Sequence, residues 1–94
     1  MSDRSDIVRM RIRVEGRVQG VNFRASAKRE ADRFGLSGFA RNESDGSVSI
    51  EVEGREEDVS AFRRWAEAGP SRAEVAHIGS VPISPVGGHD FHVG

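Results

Sequence analysis

Cysteine is absent from the sequence, which excludes a disulfide framework and any thiolate metal site. Stability must then come from packing and hydrogen bonds, and the chain suits a reducing compartment. No apolar run approaches the ~20 residues that cross a bilayer. The opening MSDRSDIV also lacks the apolar centre of a signal peptide. A soluble cytoplasmic protein with no membrane partner is expected, with residues 1–6 as a disordered N-terminus. The Gly-Lys-Ser/Thr ending of a nucleotide-binding phosphate loop is missing too, so the glycines here serve some other turn. Histidines are few. His89 and His92 are three apart, which in a strand sends the rings to opposite faces, and no third ligand lies near them, so no metal site is expected.

What is present fits one small domain, residues 1–94. At this size about 60–65% of the unfolded surface can be buried, so the core is thin. The net charge of −1 hides an asymmetry: residues 1–41 carry ten basic and five acidic side chains, residues 42–94 four and ten. A small anionic ligand in the positive half is favoured over nucleic acid, which the acidic half would repel.

From Val8 to Glu15 apolar and charged residues alternate strictly, with Val8, Met10, Ile12 and Val14 on one face and Arg9, Arg11, Arg13 and Glu15 on the other. Such a strand has one wet face, as in an antiparallel sheet covered on one side. Phe23, Ala27, Ala31 and Phe34 then recur at helical spacing, with Asn22 as N-cap and Gly35 as the left-handed stop, predicting a helix over 23–34. Leu36–Asn42 reads as a second strand. ESDGS reads as a hairpin loop in which Asp45 and Gly46 supply positive φ. Val48, Ile50 and Val52 alternate in a third strand closed by Gly54.

An acidic first turn from Glu56 opens a second helix, which runs to Ala68 with Val59, Phe62, Trp65 and Ala66 inward and stops at Gly69-Pro70. Ala73–Val81 reads as a fourth strand and FHV as a short edge strand. The order strand, helix, strand, strand, helix, strand predicts a ferredoxin-like α+β sandwich, an antiparallel sheet with both helices on one face. Strand three then lies beside strand one. Cross-strand pairing with Glu51 and Glu53 accounts for the arginine stripe better than a polyanion site does.

That topology gives GRVQGVNFR, residues 16–24, a meaning. A strand–helix–strand crossover puts the ends of strands one and two on the same rim, so Arg24 and Asn42 face a common site. Gly16 and Gly20 let the loop curl. Backbone N–H groups of residues 18–23 and the unpaired amides of the helix N-terminus then suit a phosphoryl group. Arg24 adds a planar fork that grips two oxygens, and Asn42 an amide able to orient a water. Such a cradle binds phosphate without a metal.

GRVQGVNFR, then GLSGFARNESDGSVSIEVEG, then FRRWAEAGPSRAEV resemble the acylphosphatase family in order and spacing, from Ile12 to Val93. The resemblance implies hydrolysis of the carboxyl-phosphate bond of small acyl phosphates to carboxylate and inorganic phosphate, with no metal and no cofactor. By that likeness Arg24 binds the phosphate and Asn42 positions the attacking water. The loop Gly16, Arg17, Val18, Gln19, Gly20, Val21, Asn22 and Phe23 forms the cradle, and the substrate phosphate itself accepts the water's proton. The chain is expected to act as a monomer. A catalytically silent phosphate-sensing or partner-binding module of the same fold is the alternative. An RNA-binding sheet is disfavoured because SVSIEV lacks stacking aromatics and presents an acidic face.

Overall fold

The alternating strand is an interior strand of the sheet, paired on both sides, in the computed structural model, which describes residues 7–94. The expectation for residues 1–6 lies outside the described residues. Seven elements follow in order: β1 (Ile7–Arg17), α1 (Phe23–Phe34), β2 (Ser37–Asn42), β3 (Val48–Arg55), α2 (Glu56–Ala68), β4 (Glu74–Ile83) and β5 (Phe91–Val93). The strands form one sheet in the order β4-β1-β3-β2-β5. The inward residues of β1 and β3, among them Ile12, Val14, Ile50 and Val52, meet Ala27, Ala31, Val59, Phe62 and Ala66 of the two helices. This is the predicted α+β layering: one core between the sheet and a pair of helices.

Both helix bounds agree with the periodicity. Gly35 closes α1 in the left-handed conformation, its N–H donating to Ala31 and Asp32 carbonyls. Three acids occupy the first turn of α2, where the helix dipole favours them. Trp65 is half-buried, its ring 5.4 Å from Phe23 and 5.5 Å from Phe62.

Two expectations about the sheet need correction. The sheet is mixed, because β5 pairs in parallel with β2. In addition, its outer face is not uniformly wet, since Arg9 and Glu53 are only 6% and 5% exposed there. One feature of the chain path causes both. β4 and β5 lie at opposite edges, so residues 84–90 must cross the sheet, and they do so on the side away from the helices. The crossing runs over a row of paired residues, Ile83, Arg9, Glu53 and Ser37. Glu53 anchors it: its carboxylate accepts the N–H of Val86 and of Gly87, each at 2.8 Å, and the Arg9 guanidinium at 3.0 Å.

Burial alone would push the Glu53 carboxyl up, but the two strap amides and Arg9 together more than offset it and hold the group below its ordinary range. Glu53→Gln keeps the shape but removes the charge opposite Arg9 and weakens the grip on the strap. We expect a loss of about 2 kcal/mol at pH 7, read as a lower urea midpoint. The Glu53 contribution is complete above the unfolded value near 4.5 and is lost as pH falls through the lower folded value. The two proteins should therefore converge in acid.

The rest of the stripe pairs as anticipated only in part. Arg9 and Arg11 both reach Glu51, whereas Arg13 turns to Glu15 on its own strand and to Asp45 of the hairpin. The hairpin also closes differently from the expectation. Gly46 has φ 95°, but Asp45 does not share the positive φ. Gly46 N–H instead returns to Glu43 O at 3.1 Å, and the Asp45 carboxylate accepts the N–H and hydroxyl of Ser47. An ordinary turn followed by one left-handed glycine achieves the reversal. His92 lies in β5, while His89 precedes the strand.

Candidate active site

The loop after β1 is shaped by two glycines with different duties. Gly16, at φ 127°, sits where the β1–β4 register shifts, and a Cβ there would lie 2.2 Å from the carbonyl oxygen of Glu74. No side chain fits between the two backbones. Gly20, at φ 77°, faces open space, so its requirement is conformational alone. Asn22 is the one non-glycine residue with positive φ among the described residues, at φ 65°, a conformation asparagine tolerates better than most.

Asn22 holds the N-cap position, but its side chain makes no capping hydrogen bond, contrary to expectation. Its carbonyl accepts the first helical bond, from Ser26 N–H at 3.0 Å. The amides of Phe23, Arg24 and Ala25 thus begin the helix without a side-chain cap, at the positive end of the dipole.

These groups open on a cavity of about 540 Å³, whose walls include Gly20, Val21, Asn22, Arg24, Asn42 and Arg72. Arg24 and Asn42 come from α1 and from the end of β2, so the crossover brings them together on one rim. Arg24 is half-buried and donates through Nη1 to the carbonyl of Gly94. Asn42 pairs in register with Val48 and its exposed side chain makes no hydrogen bond among the described residues.

The other predicted loop residues divide by position. Val18 and Phe23 are buried in the core and line the cavity at its inner side. Gln19 turns away: its side-chain amide donates to the carbonyls of Glu43 and Ser47, at 2.8 and 2.9 Å, tying the loop to the β2–β3 hairpin that carries Asn42. Gly16 and Arg17 belong to β1 and do not line this cavity.

Sequence reasoning missed Arg29, Arg72 and Val93 as cavity residues and left Ser26 aside. Ser26 is buried, and its hydroxyl accepts Arg29 Nη2 at 3.3 Å. A signal existed for the helical pair, since Asn22, Ser26 and Arg29 recur at helical spacing on the face that the loop uncovers. A signal existed for Arg72 as well: β4 starts opposite Arg17, so the turn before it must lie on the same rim.

Fold and site define a class: a ferredoxin-like domain whose glycine-containing strand-to-helix loop opens onto an arginine-lined cavity. Comparison with known proteins makes the assignment specific. A family model for acylphosphatase matches residues 10–93. An acylphosphatase of Pseudomonas paraeruginosa is 49% identical over 77 residues, 80% of this chain and 85% of that protein. The crystal structure of acylphosphatase from Bacillus subtilis superposes with a TM-score of 0.86 at 36% identity, over 92% of this chain and 97% of that one. An acylphosphatase structure from Coxiella burnetii gives 0.93 at 28% identity, over 99% and 98%. The chain belongs to the acylphosphatase family.

Proposed function

We propose that this chain hydrolyses small acyl phosphates to a carboxylate and inorganic phosphate, acting as a cytoplasmic monomer. The observation that supports the reading best is the meeting of Arg24 and Asn42 in one cavity beside an uncapped helix N-terminus. Among the described residues no helix is long and apolar enough to cross a membrane.

The chemistry requires little beyond positioning. The mixed anhydride has a good leaving group, so phosphoryl transfer to water passes through a loose transition state with charge spread over three phosphoryl oxygens. Arg24 and the amides of the loop and first helical turn hold those oxygens. Asn42, which can both accept from and donate to a water, aligns it with phosphorus. The water oxygen bonds to phosphorus, the bond from phosphorus to the acyl oxygen breaks, and the carboxylate departs with that electron pair. The water's proton passes to a phosphoryl oxygen, so no strong base is required.

Incubation with acetyl or benzoyl phosphate and no added metal should release inorganic phosphate. Phosphate binding without turnover would instead identify a silent sensing module. Turnover that survives in Arg24→Gln would overturn the site.

A further inference from the structure

The arginines of the described chain fall into two groups. Seven of the twelve are ion-paired with carboxylates. The remainder, Arg17, Arg24, Arg29, Arg64 and Arg72, have no aspartate or glutamate partner within 4.0 Å among the described residues, and all but Arg64 line two neighbouring cavities. The first is the candidate active site. The second, of about 470 Å³, is bounded by Arg17, Gln19, Gly20, Val21 and Arg72. Gly20, Val21 and Arg72 form walls of both, so the two are halves of one groove folded over the tip of the loop.

No aspartate or glutamate lines either half. The contrast lies a short way along the sheet, where a third cavity pairs Arg13 with Glu15 and Asp45 and is neutralised internally. Glu74 stands opposite Arg17 in the β1–β4 register, yet its carboxylate makes no ion pair there. In a chain of net charge −1, four guanidinium groups along one groove with no aspartate or glutamate partner among the described residues make a local positive field.

One phosphoryl group does not need them all. The amides and Arg24 suffice to hold its oxygens, and a two-carbon acyl group would leave most of the groove unfilled. Arg72 walls both halves, so an acyl chain that runs from the cradle into the second half passes it. We infer that the preferred substrates are acyl phosphates whose acyl chain carries a second anionic group, taken by Arg72 with Arg17 beyond it. This rests on the acylphosphatase reading above and assigns Arg72 the discrimination among substrates of that site.

The interaction lies in a solvent-accessible groove, so its size should be that of a partly screened charge-assisted hydrogen bond. Because the second anion is remote from the reacting bond, it should be felt equally before and in the transition state and appear in KM rather than kcat. The test compares adipoyl monophosphate with its methyl ester, which differ in one charge. At low salt the wild type should favour the free acid in kcat/KM by about five- to tenfold, with the difference in KM. High salt should shrink that ratio, and Arg72→Gln should bring it near one. A wild-type ratio at or below one, or a ratio unaltered by both salt and Arg72→Gln, overturns the inference alone. Hydrolysis of neither compound overturns the underlying activity and the inference with it.

Discussion

Asn42→Ala should lower kcat for acetyl phosphate by about 10² to 10³, a rise in barrier of about 3 to 4 kcal/mol, while inorganic phosphate still competes with near wild-type affinity. The split follows from what Asn42 does. In the proposed mechanism it touches the attacking water and not the phosphoryl oxygens, so its amide is needed only once the water must be aligned with phosphorus. The side chain is exposed at the end of β2 and makes no hydrogen bond among the described residues, so its removal should leave the melting temperature nearly unchanged. Loss of rate together with loss of stability would assign Asn42 a structural duty instead. The comparison of phosphate inhibition constants for wild type and variant, beside their kcat values, reads both outcomes.

Arg24→Gln should be more severe and different in kind. Its guanidinium supplies the one fixed positive charge of the first helical turn at the cavity, and its fork matches two phosphoryl oxygens at once. Binding and rate should fall together, with kcat/KM down by about 10³ or more and phosphate inhibition weakened in parallel. Arg24→Lys should recover little of either, because a point charge does not reproduce the fork. Full recovery by lysine would mean that charge alone is used there, and that the planar geometry is incidental.

Much of this was legible from residue order. The helices could be bounded because their apolar positions keep a 3.6-residue period and end at Gly35 and at Gly69-Pro70, residues that break helices for reasons of backbone geometry. The pairing of β1 with β3 followed from the topology, which set Glu51 and Glu53 beside the arginine stripe. The rim shared by Arg24 and Asn42 followed from topology, because a crossover leaves no other arrangement. The strap was not legible. SPVGGHD has no period to read, and its anchor, Glu53, is held by backbone amides that leave no mark in side-chain identity. Strand β4 was read short for a related reason. It was expected to end at Val81, but it continues through Pro82 to Ile83, because β4 is an edge strand, where a residue without an N–H costs no ladder bond. The wet face was misjudged because that crossing covers Arg9 and Glu53 at one end of the sheet.

Within the site, the glycines and the cationic fork were visible and the second half of the groove was not. Arg72 is separated from the loop by 48 positions and is brought to it only by the antiparallel pairing of β4 with β1. Gln19 was assigned to the cradle by likeness to the family, and its side-chain amide has a further duty, locking the loop to the hairpin that ends β2. That contact joins the two halves of the proposed machinery, and its logic is evident only once the hairpin and the loop are seen side by side.

The central claim is that a water held by Asn42 attacks phosphorus while Arg24 and the loop hold the phosphoryl oxygens. Hydrolysis of benzoyl phosphate in ¹⁸O-labelled water, followed by mass analysis of both products, tests it most directly. The account predicts one labelled oxygen in the inorganic phosphate and none in the benzoate. Label in the benzoate would place the attack at the acyl carbon and contradict it.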